Sequence, residues 1–219
     1  MNRFYTLRPG RISYRSGLVL QTELVARRLK EEADFLILLE HTPVVTLGRG
    51  VRSFNPLVPC DFFSRNGIDV VKVERGGDVT FHGPGQVVGY PIVKLDVVGR
   101  DLHLYLRMLE KVLLDVVARL GVSARTVEGR TGIWVGEKKL ASIGVAVRRW
   151  VSWHGFALNV RNDLSGFETI VPCGLEGVEM ISLEEIIGRD ISLETVEEEL
   201  VHSFGRIFQA EYLGEYEYH

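Results

Sequence analysis

IDVVKVERGGDVTFHGPGQVVGYPIVKL, residues 68–95, sets two strand-like apolar runs on either side of a glycine-dense loop. Four of the twelve residues from Arg75 to Gln86 are glycines. Backbone of this kind approaches a ligand closely and takes up φ > 0 at little cost. Phosphate-cradling loops share that composition, but they open a helix, as in the Walker and Rossmann patterns. Here Ile68–Arg75 leads in as a strand and Val87–Leu95 leaves as one, and neither GxxxxGK[ST] nor GxGxxG occurs. The loop therefore joins strand to strand, which points away from a doubly wound nucleotide fold.

The rest of the chain extends this reading. Gly17–Ala33 has apolar residues near helical spacing, Phe35–His41 reads as a buried strand, and Pro43–Gly48 as its continuation or partner. Asp101–Gly121 is the strongest helix. Leu102, Tyr105, Leu106, Leu109, Val112, Leu113, Val116, Val117 and Leu120 share one face, with Asp101 as N-cap and Gly121 as C-cap. Short β-like runs follow at 123–127, 131–136, 138–147 and 150–160, joined by turns that favour antiparallel hairpins. A last helix is expected over Ser192–Leu213, with acidic residues at its start. These elements predict an α/β (α+β) chain, a mainly antiparallel sheet flanked by helices. Residues 1–219 are read as a single domain.

Composition narrows the function. Apolar residues make up 46% and charged residues 25% of the 219, and the net charge of −3 gives no sign of a nucleic-acid partner. No signal segment or membrane-spanning run is evident, and the chain holds only two cysteines, Cys60 and Cys173. A reducing cytoplasm is the expected compartment. No His, Cys, Asp or Glu set has metal-ligand spacing, so no metal is expected, and there is no GxSxG nucleophile elbow.

Cys173, between Pro172 and Gly174, lies on a turn that can present a thiol, although a free cysteine is more often a small buried hydrophobe. Cys60 has no activating cation beside it and an adjacent carboxylate that opposes thiolate formation, so it reads as structural. A reactive thiol needs a cation or base. His82 and His154 each precede glycine and either act in the site or fix turns. His103 and His202 fall on helices, and His219 is terminal. Lys138 and Lys139 fall on one strand and face opposite ways; alternation does not choose between them.

Several of these segments together resemble the lipoyl(octanoyl) transferase family. RGGDVTFHGPGQVVGYPIVKL is similar to its signature loop, KLASIGVAVRRWVSWHGFALNV to its lysine strand and hairpin, and GFETIVPCGLEGVEMISL to its cysteine segment. LLEHTPVVTLGR also fits, so the resemblance runs from about Phe35 to Leu183 in one order. It implies a fold like that of biotin and lipoate protein ligases. The implied activity is transfer of an octanoyl group from octanoyl-acyl carrier protein to a lysine of a lipoyl-carrier domain. Such domains belong to the 2-oxoacid dehydrogenases and the glycine cleavage H protein. Cys173 is the implied nucleophile, and Lys139 the residue that lowers its pKa and exchanges protons.

The resemblance also implies acyl contacts. In the loop they fall on Arg75, Gly76, Gly77, Asp78, Val79, Thr80, Phe81 and His82, on the lysine strand on Ser142, Ile143 and Gly144, and after it on Gly155, Phe156 and Ala157. Phe81 and Ile143 are expected as walls of an acyl tunnel. No cofactor is needed, because the donor is already a thioester. The chain is expected to act as a monomer, away from membranes. Arg49, Arg52, Arg148 and Arg149 are candidate contacts for an acidic carrier. The competing readings are an ATP-dependent lipoate or biotin ligase on the same scaffold, a cysteine hydrolase pairing Cys173 with His82 or His154, and a carrier-domain binding module.

Overall fold

A computed structural model describes residues 2–30, 33–52, 54, 56–59, 61–171 and 177–217. Eleven strands and five α-helices are assigned among them. In chain order they are β1 (Asn2–Ile12), α1 (Tyr14–Arg28), β2 (Asp34–His41), β3 (Val44–Leu47), α2 (Asp61–Arg65), β4 (Asp69–Lys72), β5 (Val79–His82), β6 (Gln86–Ile92) and α3 (Leu102–Arg119). Then come β7 (Arg125–Val127), β8 (Arg130–Val135), β9 (Lys138–Arg148), β10 (Val151–Asn159), α4 (Leu183–Ile187), α5 (Leu193–Phe208) and β11 (Ala210–Glu215). Eight strands form one sheet in the order β11-β1-β2-β6-β10-β9-β8-β7, and β4-β3-β5 form a second. Only β1–β11 and β1–β2 are parallel in the large sheet; its other pairings are antiparallel.

β2 reads as a continuous apolar run because both of its faces are covered. Leu36 and Leu38 join the core under α3 and α5, whereas Phe35, Ile37 and Leu39 join the one beneath α1. α3 forms as its sequence predicts. The Asp101 side chain accepts from the Leu104 N–H. Gly121, at φ +83, ends the helix with its N–H on the Ala118 carbonyl, and the Val122 N–H reaches the Val117 carbonyl. Those two bonds are the Schellman pattern.

Four expectations change. α1 starts earlier than Gly17, at Tyr14, because Ser13 caps it by accepting from the Ser16 N–H. β3 neither continues nor pairs with β2; it pairs with β4 and β5 in the small sheet. The glycine loop contains a strand of its own, β5, so the connection is strand–strand–strand. The last helix stops at Phe208, where Gln209 adopts φ +50, and the chain returns as β11 beside β1. Cross-strand partners distant in sequence create β1, β5 and β11, and no local pattern reports them.

β9 and β10 form the longest antiparallel hairpin, closed by a two-residue turn at Arg149 and Trp150 with φ +50 and +64. Both positive values are the signature of a type I′ turn. Within the hairpin Gly144 faces Gly155. This pair leaves a shallow place on the sheet, against which the glycine loop and small sheet close.

Candidate functional site

The loop is held down from both sides. The Gly76 N–H donates to the Val145 carbonyl of β9 at 2.8 Å. A Cβ at Gly144 would stand 2.8 Å from the Gly76 oxygen, so the approach depends on glycine there. On the other side the N–H groups of Gly48, Arg49 and Gly50 donate to the carbonyls of Asp78, Arg75 and Gly77. The buried Arg75 guanidinium turns inward, and its Nη2 donates to the Thr46 carbonyl and to Thr46 Oγ1, each at 2.8 Å. This arginine therefore splints the loop to β3.

Between the loop, the small sheet and the β6–β10–β9 face lies a cavity of about 260 Å³. It brings together Arg75, Gly76, Gly77, Asp78, Val79, Thr80, His82, Lys139, Ser142, Ile143, Gly144, Gly155, Phe156 and Ala157, all expected from sequence. Phe81 does not line it. The strand alternation that turns Thr80 and His82 to the cavity turns Phe81 away, and its ring packs edge-on against Phe167 at 5.7 Å. Cys173 and its neighbours 172–176 lie outside the described residues, as do Cys60 and His219. Among the described residues no three His, Cys, Asp or Glu side chains gather as a metal site, and no helix is long and apolar enough to cross a membrane.

The two lysines separate clearly. Lys138 is half-exposed and its Nζ meets Glu179 at 3.0 Å, a carboxylate that raises its pKa. Lys139 is 4% exposed and lines the cavity, with Nζ 5.3 Å from the centre of the Trp134 ring. That distance suits a cation–π contact. A Cβ at Gly132 would come within 3.0 Å of Lys139 Cε, so a glycine makes room for the side chain. The β8–β9 register shifts between Ile133 and Trp134, and Leu140 and Ala141 both enter the core. This irregularity is why simple alternation left the choice open. The Lys139 N–H donates to the Glu179 carbonyl, and the Ile181 N–H donates to the Lys139 carbonyl. The lysine is thus bonded to the chain that follows residues 172–176.

His82 fixes a turn: its Nδ1 lies 2.8 Å from Gln86 Oε1, while Gln86 Nε2 donates to Asn159 Oδ1 at 2.9 Å. His154 sits on β10 at φ +55, its Nδ1 3.4 Å from the Tyr14 hydroxyl and its ring stacked on Trp153. His41 Nε2 lies 2.7 Å from the Tyr90 hydroxyl. Burial holds all three imidazoles neutral, pushing His41 down to about 4 and both His82 and His154 to about 3. The nearby Arg75 cation lowers His82 and His154 further. Burial likewise raises Tyr14 to about 12.

Sequence reasoning did not single out Tyr14, Val88, Tyr90, Gly129, Arg130 or Thr131 as lining residues. Tyr14 arrives from the first turn of α1, Gly129 from the β7–β8 turn, and Arg130 and Thr131 from the start of β8; none carries a motif. Val88 and Tyr90 are two apart on β6 and share a face, a signal visible only once the inward face is known. Of the candidate docking arginines, Arg49 lies beside the glycine loop, whereas Arg148 and Arg149 sit at the far end of β9 from Lys139.

Residues 13–205 match the family described as the lipoyl protein ligase A/B catalytic domain. A Geobacter metallireducens protein named octanoyltransferase is 50% identical over 196 residues, 89% of each chain. One of the same name from Solibacter usitatus is 47% identical over 205 residues, 93% of this chain and 92% of the other. Among solved structures, a lipoate-protein ligase A bound with ATP superimposes with a TM-score of 0.75 at 19% identity, covering 99% of this chain and 90% of that one. A bipartite lipoate protein ligase from Thermoplasma acidophilum gives 0.72 at 19%, covering 99% and 88%. The biotin protein ligase of Aquifex aeolicus gives 0.52 at 11%, covering 95% and 70%. The fold is that of these ligases.

Proposed function

Because the chain belongs to the lipoyl protein ligase A/B catalytic-domain family, we propose that it is an octanoyltransferase of protein lipoylation. It takes the octanoyl group from octanoyl-acyl carrier protein and passes it to a lysine of a lipoyl-carrier domain, such as those of 2-oxoacid dehydrogenases or the glycine cleavage H protein. A thioester on Cys173 is the intermediate. The observation that carries this reading is a buried lysine, Lys139, in a cavity walled by Val88, Ile143, Phe156, Ala157 and glycines, in a chain about half identical to proteins named octanoyltransferase.

The chemistry closes without ATP. The Cys173 thiolate attacks the donor thioester, and the carrier thiol leaves; one thioester replaces another at little cost in free energy. The acceptor amine then attacks the acyl-Cys173 thioester, an amide forms, and the Cys173 thiolate departs. Lys139 as an ammonium stabilises the thiolate. As a neutral amine it accepts the proton that the acceptor nitrogen sheds. Cys173 is six residues before Glu179, so at most about 20 Å of chain separates it from a backbone bonded to Lys139. Burial pushes His82 and His154 down to about 3, which makes each a weak acceptor for a thiol proton, and this favours the Cys173–Lys139 pair over a cysteine–histidine hydrolase.

Intact-mass spectrometry after incubation with octanoyl-acyl carrier protein, without ATP, tests the proposal. One hydroxylamine-labile octanoyl adduct is expected, absent in Cys173→Ala. Attachment of free octanoate to a lipoyl domain that requires ATP and survives Cys173→Ala would make the chain a ligase instead.

A further inference from the structure

Glu110, on α3, is 1% exposed, and glutamate is almost never buried so deeply unless it is paired. Its helix neighbours Leu109, Val112 and Leu113 belong to the apolar core, together with Ile133 and Leu140 of the sheet. The two carboxylate oxygens have separate partners. Oε2 accepts from Nη1 of the half-exposed Arg107, three residues earlier on the helix, at 2.5 Å. Oε1 reaches across to β8 and accepts the Gly132 N–H at 3.1 Å. A side chain of α3 thus holds the backbone of a strand that pairs with the lysine strand.

Gly132 is packed against the arm of Lys139. Its φ of +121 lies where glycine is favoured. A Cβ there would stand 2.2 Å from the Ala141 carbonyl oxygen and 3.0 Å from Lys139 Cε. Immediately after Gly132 the β8–β9 register shifts: Ile133 faces Ala141, but Trp134 faces Lys139. β9 therefore holds one residue more than β8 between these pairs, Leu140, and a bulge of this kind re-aims side chains. Past it Lys139 lines the cavity with Nζ 5.3 Å from the centre of the Trp134 ring, while Lys138 is left to its ion pair with Glu179. The Glu110 bond is made at the one β8 residue that both precedes the shift and touches the lysine.

Resting on the octanoyl-transfer reading, we infer that Glu110 is a positioning residue for the reaction: its carboxylate anchors the Gly132 backbone to α3 and so fixes the wall along which Lys139 extends into the cavity. Glu110 is not itself among the lining residues; it acts through Lys139. Without the anchor the Gly132 N–H is left buried and unpaired, β8 shifts to satisfy it, and the lysine arm loses its fixed wall.

A double-mutant cycle on the single-turnover rate of transfer from octanoyl-acyl carrier protein to a lipoyl domain tests this. Glu110→Leu removes the acceptor. Glu110→Gln keeps an oxygen for the Gly132 N–H. Glu110→Leu is expected to lower kcat at least about tenfold per folded molecule, since a misplacement of about 1 Å costs up to about 10²-fold, with KM for both carrier proteins within about twofold. Glu110→Gln is expected to restore the rate to within about threefold of wild type. In a Lys139→Met background Glu110→Leu should cost less than about twofold more, because groups that act as a unit are not additive. Equal factors in both backgrounds, or a wild-type rate per folded molecule in Glu110→Leu, overturn the inference and leave octanoyl transfer intact. A wild-type protein that transfers no octanoyl group overturns the reading on which it rests. Should Glu110→Leu not fold, Glu110→Asp, one methylene too short to reach Gly132, takes its place in the cycle with the same two outcomes.

Discussion

The two ends of one cavity are built to opposite rules. At one end the buried Lys139 places its Nζ 5.3 Å from the Trp134 ring beside exposed chain at Gly129 and Arg130. At the other end, some 20 Å along the strand, where Val145 of β9 pairs with His154, five titratable side chains (Tyr14, His41, His82, Tyr90 and His154) are packed ring to ring and held neutral by burial. These side chains stay neutral although the buried Arg75 guanidinium lines the same cavity. The difference teaches that residue type alone does not set polarity along this cavity: two histidines line it, and burial keeps both neutral beside a buried arginine.

The largest expected effect breaks the Lys139 end. Lys139→Met should lower octanoyl transfer by about 10²- to 10⁴-fold, the usual contribution of a positioned acid–base group, in a single-turnover assay. Its neighbour supplies the contrast. Lys138 makes only a surface ion pair with Glu179, and such pairs contribute little, so Lys138→Met should stay within about twofold. Equal losses at both positions would remove the distinction between them.

The His154 end is broken by acid. An unfolded imidazole titrates near 6.5, whereas these three titrate at about 3 to 4 when folded. Below pH 6.5 the unfolded chain therefore binds protons that the folded chain refuses, and stability falls as pH drops towards 4. Between pH 7 and pH 5 each buried histidine should remove about 2 kcal/mol. Urea unfolding at the two pH values measures the sum. His154→Gly should shrink the difference by one histidine's share; an unchanged difference would mean that His154 is protonated in the folded state.

How much of this was legible differs between the ends for a physical reason. The glycine loop was visible because backbone requirements fix residue type, whereas Gly129, Arg130 and Thr131 at the Lys139 end carry no motif. Gly144 must be glycine where the Gly76 carbonyl lies against β9; the string of glycines marked the loop, and its partner strand came only from the family resemblance. Lys139 was visible only as one of a pair, since a register shift in the β8–β9 pairing decides which lysine turns inward. The His154 end was largely hidden. Tyr14 stands at the start of a helix and Tyr90 in a strand; they meet His154 only through long-range pairing of β2, β6 and β10. β1 and β11, parallel neighbours at opposite ends of the chain, were hidden for the same reason. Phe81 shows the converse limit: its place in the motif was read correctly, but the strand within the loop turned its ring to another core.

Between the two ends, the loop contact offers an intermediate effect. Gly144→Ala forces the Gly76 carbonyl and the Arg75 side chain off β9, a close-packing violation of about 1 to 3 kcal/mol. If the loop is the cavity's wall, kcat/KM for octanoyl transfer should fall about tenfold or more. The global unfolding midpoint should shift by less than that penalty implies, because the loop relieves the clash by lifting. A full loss of stability with unchanged kcat/KM in the surviving folded fraction would assign the glycine to the core alone.

The smallest effect concerns which end the carrier protein meets. Acyl carrier proteins are acidic, and charge complementarity acts mainly on encounter. Arg130 is exposed at the Lys139 end, its guanidinium 5.6 Å from the Trp134 ring. Arg148 and Arg149 close the opposite end of β9, nine strand steps or about 30 Å from Lys139. Exposed charges that far from the docking partner lie several Debye lengths away at physiological salt. Arg130→Glu should therefore raise KM for octanoyl-acyl carrier protein several-fold, more at low salt than at high, with kcat little changed. Arg148→Glu combined with Arg149→Glu should leave KM within about twofold. If the double reversal instead raises KM as much as Arg130→Glu does, the carrier spans the hairpin, and the Gly129–Arg130 end is not the only approach to the cavity.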